Sequence, residues 1–396
     1  MLTGKETGLR FAAATSRDPD PQAAGRETAR AARSGLTHTA DLAFLFFSSH
    51  YASRASELCE AVRRELGPAV LLGCTGEGII AGAEEWEAGQ AVALWAAHLP
   101  GARLTPVRLP AAQTGDEAGL GWPDQLGAGR PTFILLADPF SAPISEILAG
   151  MADRWPGAPA IGGLAGGGRD EGENRLVLNG DVHDGGLVGV ALSGPVSVRT
   201  VVSQGCRPIG DPYVVTRAEH NVVHELGGSP ALERLQTVFE SLPEDQRRIA
   251  HQALHVGIVI DEQRDRFERG DFLVRNLIGA DRTSGSMAIG DRVQEGQTVQ
   301  FHLRDGQSAS EDLNLLLAAD RSRHPSPPLG ALLFSCCGRG RGLFGRPHHD
   351  IATVRERLGD MPVAGFFAQG EIGPVGGSNF VHGYTASLAL FSEPES

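Results

Sequence analysis

Apolar residues in this chain fall into short dense runs that end in glycine, alternating with segments that carry a single apolar stripe. Runs of about four to six apolar residues bounded by Gly have strand length and are too short for an independent helix. Near the C-terminus, residues 331–335 run into Cys336-Cys337-Gly338-Arg339-Gly340, and residues 363–367 run towards Gly370-Glu371-Ile372-Gly373. Between them Ile351, Val354 and Leu358 recur at i, i+3, i+7, one buried face of a helix over 350–358. A last strand is expected over 385–391. The unit therefore reads strand, glycine turn, helix, strand, glycine turn, strand.

The chain repeats this unit. Strand 42–47, helix 57–66 with Leu58, Val62 and Leu66 on one face, strand 70–73 opening into Cys74-Thr75-Gly76-Glu77-Gly78, and strand 91–95 form one copy. Strand 133–136, helix 144–151, Ala160-Ile161-Gly162-Gly163 and strand 187–192 form another. Self-similarity at this scale comes before any choice of fold. A weaker fourth copy is suggested by residues 272–279 and 295–303. Outside the copies, residues 21–34 form a surface helix, 113–130 a polar Gly-rich connection, and 198–203 a β-branched strand. Strands are expected at 213–216, paired with 222–226, and at 256–260, 272–278 and 299–303 in one sheet. Ser229-Pro230 starts a helix, and Ser308 to Glu311 reads as the cap of a helix over 312–321. The fold class is α/β, with α+β open, built from repeated strand-helix-strand-strand units in mixed sheets with helices outside.

Length and charge narrow the function more than the fold. At 396 residues the chain can bury a large core, and 52 Gly with 6% aromatics imply many tight turns. A net charge of -13, with no Lys/Arg run beyond Arg247-Arg248, excludes a nucleic-acid partner by lack of a phosphate-binding patch. No segment approaches the roughly 18 apolar residues of a membrane span, and residues 1–20 lack a signal-peptide core. Five cysteines without a spacing pattern fit a reducing compartment. The expected location is cytoplasmic.

The stretch from Phe334 to Gly340, with Gly365-Phe366-Phe367, Gly370-Glu371-Ile372-Gly373 and Asn379, resembles the C-terminal FIST (F-box and intracellular signal transduction) domain. Gln204-Gly205-Cys206-Arg207-Pro208-Ile209-Gly210, Phe272-Leu273-Val274-Arg275 and Phe301-His302-Leu303-Arg304-Asp305 match the same domain, while Gly73 to Glu77 and Gly162-Gly163 match its N-terminal partner. The resemblance divides the chain into two FIST-like halves: an extension over 1–35, an N-terminal domain over 36–195 holding two copies, and a C-terminal domain over 196–396. It implies a sensory, small-ligand-binding module, with amino acids among the ligands of the family and haem in some bacterial nitric oxide sensors. No kinase, receptor or F-box segment is visible, so output is expected through an unidentified downstream signalling protein.

The sharpest chemical expectation rests on Arg339 and Glu371. Each follows a buried strand, where α/β sheets bind ligands; a guanidinium fork suits a carboxylate and a glutamate suits an ammonium, together the two ends of an amino acid. The alternative is that both brace the loops. Cys336, Gly338, Gly340, Gly370 and Asn379 would shape this site, with Glu77, Cys74 and Gly163 in the matching turns and Arg275 and Arg304 on strands of the C-terminal half. Cys336 is also a candidate nucleophile, its pKa lowered by Arg339 and turn amides, with His382 as base and Cys337 on the opposite face. His348-His349-Asp350 has poor spacing for a metal, and none is predicted. No cofactor is predicted either; haem stays open through His98, His255 or His302 beside apolar strands. The glycine turns lack a GK[ST] ending, which argues against a nucleotide.

Overall fold

The strand runs are continuous rather than alternating because both of their faces are buried. In Leu42–Ser48, Phe44 and Phe46 enter a central core while Leu45 and Phe47 pack under helices. Pro21–Leu36 and Ala55–Leu66 supply that cover through Ala24, Ala29, Leu36, Leu58, Val62 and Leu66. The second copy does the same, with Ile134 and Leu136 turned inwards and Phe133 and Leu135 turned towards Ile147 and Met151 of Ile144–Arg154. A sheet with two covered faces has no polar side to display in its sequence.

This computed structural model describes residues 8–36, 38–111, 122–123, 126, 130–264, 266–324 and 326–394. The connection expected over 113–130 lies almost entirely outside them. Two compact units are present, Met1–Val202 with Asn314–Ser396, and Ser203–Leu313.

The larger unit contains three six-stranded mixed sheets, one per copy. Each has a single parallel pair at its centre: Leu42–Ser48 with Val70–Gly76, Thr132–Ala137 with Ala160–Leu164, and Gly330–Cys336 with Val363–Ala368. A returning antiparallel strand, Val92–His98, Leu187–Ser193 or Ala386–Ser392, lies beside the first of each pair. At the same register position the second strand carries Gly73, Gly162 or Gly365, opposite Leu45, Leu135 or Leu333. A Cβ at any of the three would collide with the carbonyl of that leucine, so only glycine permits the approach.

Each copy also lends a hairpin to another. Ile79–Ala81 and Glu84–Trp86 of the first copy extend the third copy's sheet, where Ile80 faces Gly365. Leu176–Leu178 and Asp181–His183 of the second extend the first, and Glu371–Val375 and Ser378–His382 of the third extend the second. The exchange is cyclic, so no copy completes its sheet alone. The third copy, at the far end of the chain, consequently folds with the first two, and their inner faces share one core that includes Phe46, Phe334 and Phe366.

The smaller unit is an antiparallel sheet in the order Cys206–Glu219, Thr298–Arg304, Leu254–Val259, Phe272–Asp281, Ser286–Ile289, Val222–Leu226 and Ser229–Pro230; Cys206–Glu219 also pairs with Val222–Leu226. The suggested fourth copy is corrected here: residues 272–303 contain antiparallel strands with no intervening helix and no parallel pair. The helix expected from 312 is Gly306–Arg323. Asp305 caps it, accepting the Ser308 N–H at 2.7 Å and the Ser308 hydroxyl at 3.0 Å, so Ser308 lies inside the first turn. Gln204, from the glycine-cysteine motif, clips the sheet: its Nε2 donates to the Phe272 carbonyl at 2.6 Å and its Oε1 accepts the Val274 N–H at 3.0 Å.

Candidate functional site

Three equivalent strand ends converge within the larger unit. Ser48, Asp138 and Cys336 each follow the close-approach leucine by three residues, and their N–H groups donate to Ala91, Gly186 and Thr385, just before each return strand, at 3.0, 2.8 and 2.9 Å. Backbone bonds tie the second strands to one another: Glu77 N–H to the Phe367 carbonyl at 3.1 Å, Gly166 N–H to Thr75 at 3.0 Å and Leu164 N–H to Gly370 at 2.7 Å. The copies therefore do meet around a common centre, and their chemistry can be compared position by position.

The second copy's end is saturated with hydrogen bonds. The buried Asp138 accepts the Asn174 Nδ2–H at 2.9 Å, the Ser141 hydroxyl at 2.6 Å and the Phe140 N–H at 3.2 Å. Asn174 Oδ1 accepts in turn from Gly168 at 3.0 Å and Thr75 at 3.3 Å.

The third copy's end is not. Glu371 is 0% exposed, its Oε2 accepts the Thr385 N–H at 3.0 Å, and its Oε1 has no hydrogen-bond partner among the described residues. Burial pushes its carboxyl well above the usual range, and the neighbouring Cys336 thiol adds to this while Arg339 and the Thr385 bond oppose it. Cys336 is buried and Cys337 exposed, and the two adjacent thiols perturb each other. Each thiol's proximity to the other raises Cys336, with burial adding, and lowers Cys337 to about 7 against the desolvation and the Glu371 and Glu77 charges that raise it. One expectation is thus corrected: the more acidic thiol is Cys337, not Cys336. Glu77 accepts the Gly167 N–H at 3.1 Å through Oε2 and meets the exposed Arg169 at 3.4 Å through Oε1.

Arg339 stands apart from Glu371 in its bonding. Its side chain is 0% exposed, and its Nε and Nη2 grip Asp350 at 2.7 and 2.9 Å while Nη1 donates to the Tyr384 carbonyl at 3.3 Å. Asp350 also accepts from Ser335 at 2.7 Å and His349 at 3.0 Å, and despite its burial this company holds its carboxyl below the usual range. The Arg339 guanidinium lies 5.2 Å from the Phe344 ring, which stacks on His349 at 3.5 Å. Beneath lies Glu85, 3% exposed, whose Oε1 accepts the Ile351 N–H at 2.8 Å and whose Oε2 has no partner among the described residues. Burial and the Asp350 charge raise its carboxyl to about 8. Sequence reasoning missed both carboxylates; Asp350 was legible only as part of a weak metal pattern, and Glu85 gave no signal.

The remaining candidates have local partners. The Gly338 N–H meets the Cys336 sulfur at 3.5 Å, and a Cβ at Gly340 would run into the Glu87 carboxylate. Gly163 is the register partner of Glu371, and a side chain at Gly370 would meet Leu164. Asn379 staples the third copy's hairpin to the second copy, accepting the Ala160 N–H and donating to the Ala158 carbonyl, both at 2.8 Å. Cys74 is fully buried in the central core, with its thiol pushed well up by burial. His382 faces Glu371 across the hairpin and its Nε2–H donates to Gly373 at 2.9 Å. His348 Nδ1 accepts the Glu85 N–H at 2.8 Å, so it and His349 serve different partners, and no cluster of metal-binding side chains occurs among the described residues.

Arg275 and Arg304 belong to the smaller unit, where Arg275 pairs with Asp291 at 2.7 Å and Arg304 stands opposite Cys206. Haem ligation asks for an imidazole opening onto an apolar cleft. His255 and His302 are 5% and 2% exposed, face each other in register, and have their Nδ1 atoms on backbone carbonyls; His302 packs edge-on against Phe272 at 4.9 Å. His98 stacks on His38 at 4.7 Å and contacts Asp41 at 3.1 Å.

The FIST N domain profile matches residues 41–229 and the FIST C domain profile residues 231–374. The chain belongs to the FIST family. An uncharacterized protein of Mycobacterium tuberculosis strain H37Rv is 43% identical over 384 residues, covering 97% of this chain and 100% of that relative. An uncharacterized protein of Mycobacterium bovis is 41% identical over 384 residues, covering 97% and 99%. FIST domains are associated with sensing in signal transduction. No helix among the described residues of this FIST protein is long and apolar enough to cross a membrane.

Proposed function

We propose that this FIST protein is a small-ligand-binding sensory component of intracellular signalling that recognises an amino acid or related small amine, with Glu371 as the anchor for the ammonium group. The observation that carries this reading is the half-satisfied carboxyl of Glu371 at a strand end whose second-copy equivalent is fully bonded. A buried oxygen without a donor costs free energy that a ligand's N–H groups can recover. Arg339 was expected to hold the ligand carboxylate, but its fork is occupied by Asp350, which supports its role as the brace of the loop. Arg169 takes over as the candidate cation, being 79% exposed and held only by a surface pair with Glu77. Signal output would pass to a separate downstream protein.

The test is a thermal-shift and calorimetric screen of amino acids, simple amines and simple carboxylates against the parent, Glu371→Gln and Arg169→Ala. Ligand present at a hundredfold excess over Kd stabilises the native state by about 2.7 kcal/mol. Amino acids should raise Tm in the parent and not in Glu371→Gln, with Arg169→Ala weakening amino acids but not amines. Because burial raises the Glu371 carboxyl and an ammonium partner favours its charged form, affinity should rise with pH. Carboxylates binding as well as amino acids, or binding that survives Glu371→Gln unchanged, would overturn the proposal.

A further inference from the structure

Five cysteines are free in this structure, and only Cys337 is exposed. It also directly follows a second, buried cysteine, Cys336. The backbone keeps the two together at the end of the strand, with the Cys336 N–H on the Thr385 carbonyl and the Cys337 N–H on the Ala368 carbonyl, both at 2.9 Å. Beside them lies the unpartnered Oε1 of Glu371. An exposed thiol backed by a second, sheltered thiol is the arrangement of a peroxide-reactive cysteine and its resolving partner.

We propose that Cys337 is an oxidative modification site for hydrogen peroxide and that Cys336 resolves it into a vicinal disulfide. The Cys337 thiolate attacks one peroxide oxygen; an S–O bond forms, the O–O bond breaks, and the departing hydroxide takes up the proton that Cys337 had released, giving water. The sulfur has lost two electrons to peroxide and is now a sulfenic acid. Cys336 then attacks that sulfur; an S–S bond forms, the S–O bond breaks, and the hydroxyl leaves as a second water carrying the Cys336 proton. Two thiols and one peroxide become one disulfide and two waters. The geometry assigns the order, because peroxide reaches Cys337 first and only Cys337 carries appreciable thiolate near neutrality. Lowering of its pKa to about 7 makes it about fifteenfold more ionised at pH 7 than an ordinary cysteine near 8.5. Glu371, Glu77 and Cys336 are the groups that tune this ionisation, with Arg169 acting through Glu77.

The site lies beside Glu371, the proposed ligand anchor, but needs no ligand, so a negative amine screen leaves it standing. The experiment is graded hydrogen peroxide treatment of the full chain at pH 7, read by intact mass, by titration of thiols in denaturant, and by dimedone capture. The parent should fall from five reactive thiols to three with a mass loss of about 2 Da, reversed by dithiothreitol. Cys336→Ser and Cys336→Ala should both stop at a dimedone-reactive sulfenic acid on Cys337, and Cys337→Ser should keep Cys336 reduced. A parent that holds a stable sulfenic or sulfinic acid at Cys337 without losing the second thiol would overturn the proposal, as would oxidation of Cys336 in Cys337→Ser at the parental rate.

Discussion

The second and third copies end in the same backbone geometry and in opposite chemistry. At one, Asp138 is met by an amide, a hydroxyl and a backbone N–H, and Asn174 carries the bonding on to the first copy. At the other, a thiol pair replaces the aspartate, and the nearby Glu371 and Glu85 each have one oxygen without a partner among the described residues. Since the strands, the close-approach glycines and the backbone bonds are shared, the difference is a difference of side chains alone. A saturated end holds the repeat together. An unsaturated one retains a cost of folding that a ligand or a chemical change can relieve, and functional sites are where such costs persist.

The largest effect should come from the one part of the third end that is saturated. Asp350→Asn would leave the Arg339 guanidinium buried with no counter-charge, and breaking a buried pair from one side costs about 3–5 kcal/mol. Urea unfolding at pH 7 measures it; a loss comparable with that of an exposed pair would show that the brace is not structural. Glu85 should act through pH. Its carboxyl titrates near 4.5 when unfolded and at about 8 when folded, so between these values the folded chain holds a proton that the unfolded chain has released. Stability therefore falls as pH rises through that window, by up to about 1.4 kcal/mol per pH unit. Glu371 adds a slope of the same sign, whereas Asp350, depressed when folded, costs stability only as pH falls below its unfolded value of 3.8. Glu85→Gln should flatten the alkaline decline in unfolding curves taken from pH 5 to pH 8, and an unchanged slope would remove Glu85 as its source.

The repeated units were legible because their strands are covered on both faces, which writes them as unbroken apolar runs. The lent hairpins were not. Ile79–Ala81 and Glu84–Trp86 are three residues each, and nothing local to them says that their partner is Val363–Ala368. The same long-range exchange hid the site's bonding. Arg339 could be picked out between two glycines, but its partner Asp350 sits on the next helix, where a first-turn aspartate reads as an ordinary favourable charge. Cys337 was passed over because strand alternation places neighbouring side chains on opposite faces, which drew attention to Cys336 on the buried side.

The smaller effects set the two ends directly against each other. Asp138→Asn puts an amide among donors, and losing a charge-assisted acceptor in a fully buried site should cost about 1–3 kcal/mol. Glu371→Gln is the same chemical change at the other end and should not destabilise. Burial pushes the carboxyl it replaces well above the usual range, the amide oxygen can still accept the Thr385 N–H, and the other oxygen has no partner among the described residues to lose. Because folding raises the Glu371 carboxyl above its unfolded value, the parent loses stability with rising pH that the variant keeps, so the variant should gain on the parent as pH rises above that unfolded value. If Glu371→Gln lost as much as Asp138→Asn, Glu371 would be a bonded structural carboxylate like Asp138, and the contrast between the two strand ends would no longer single out a site.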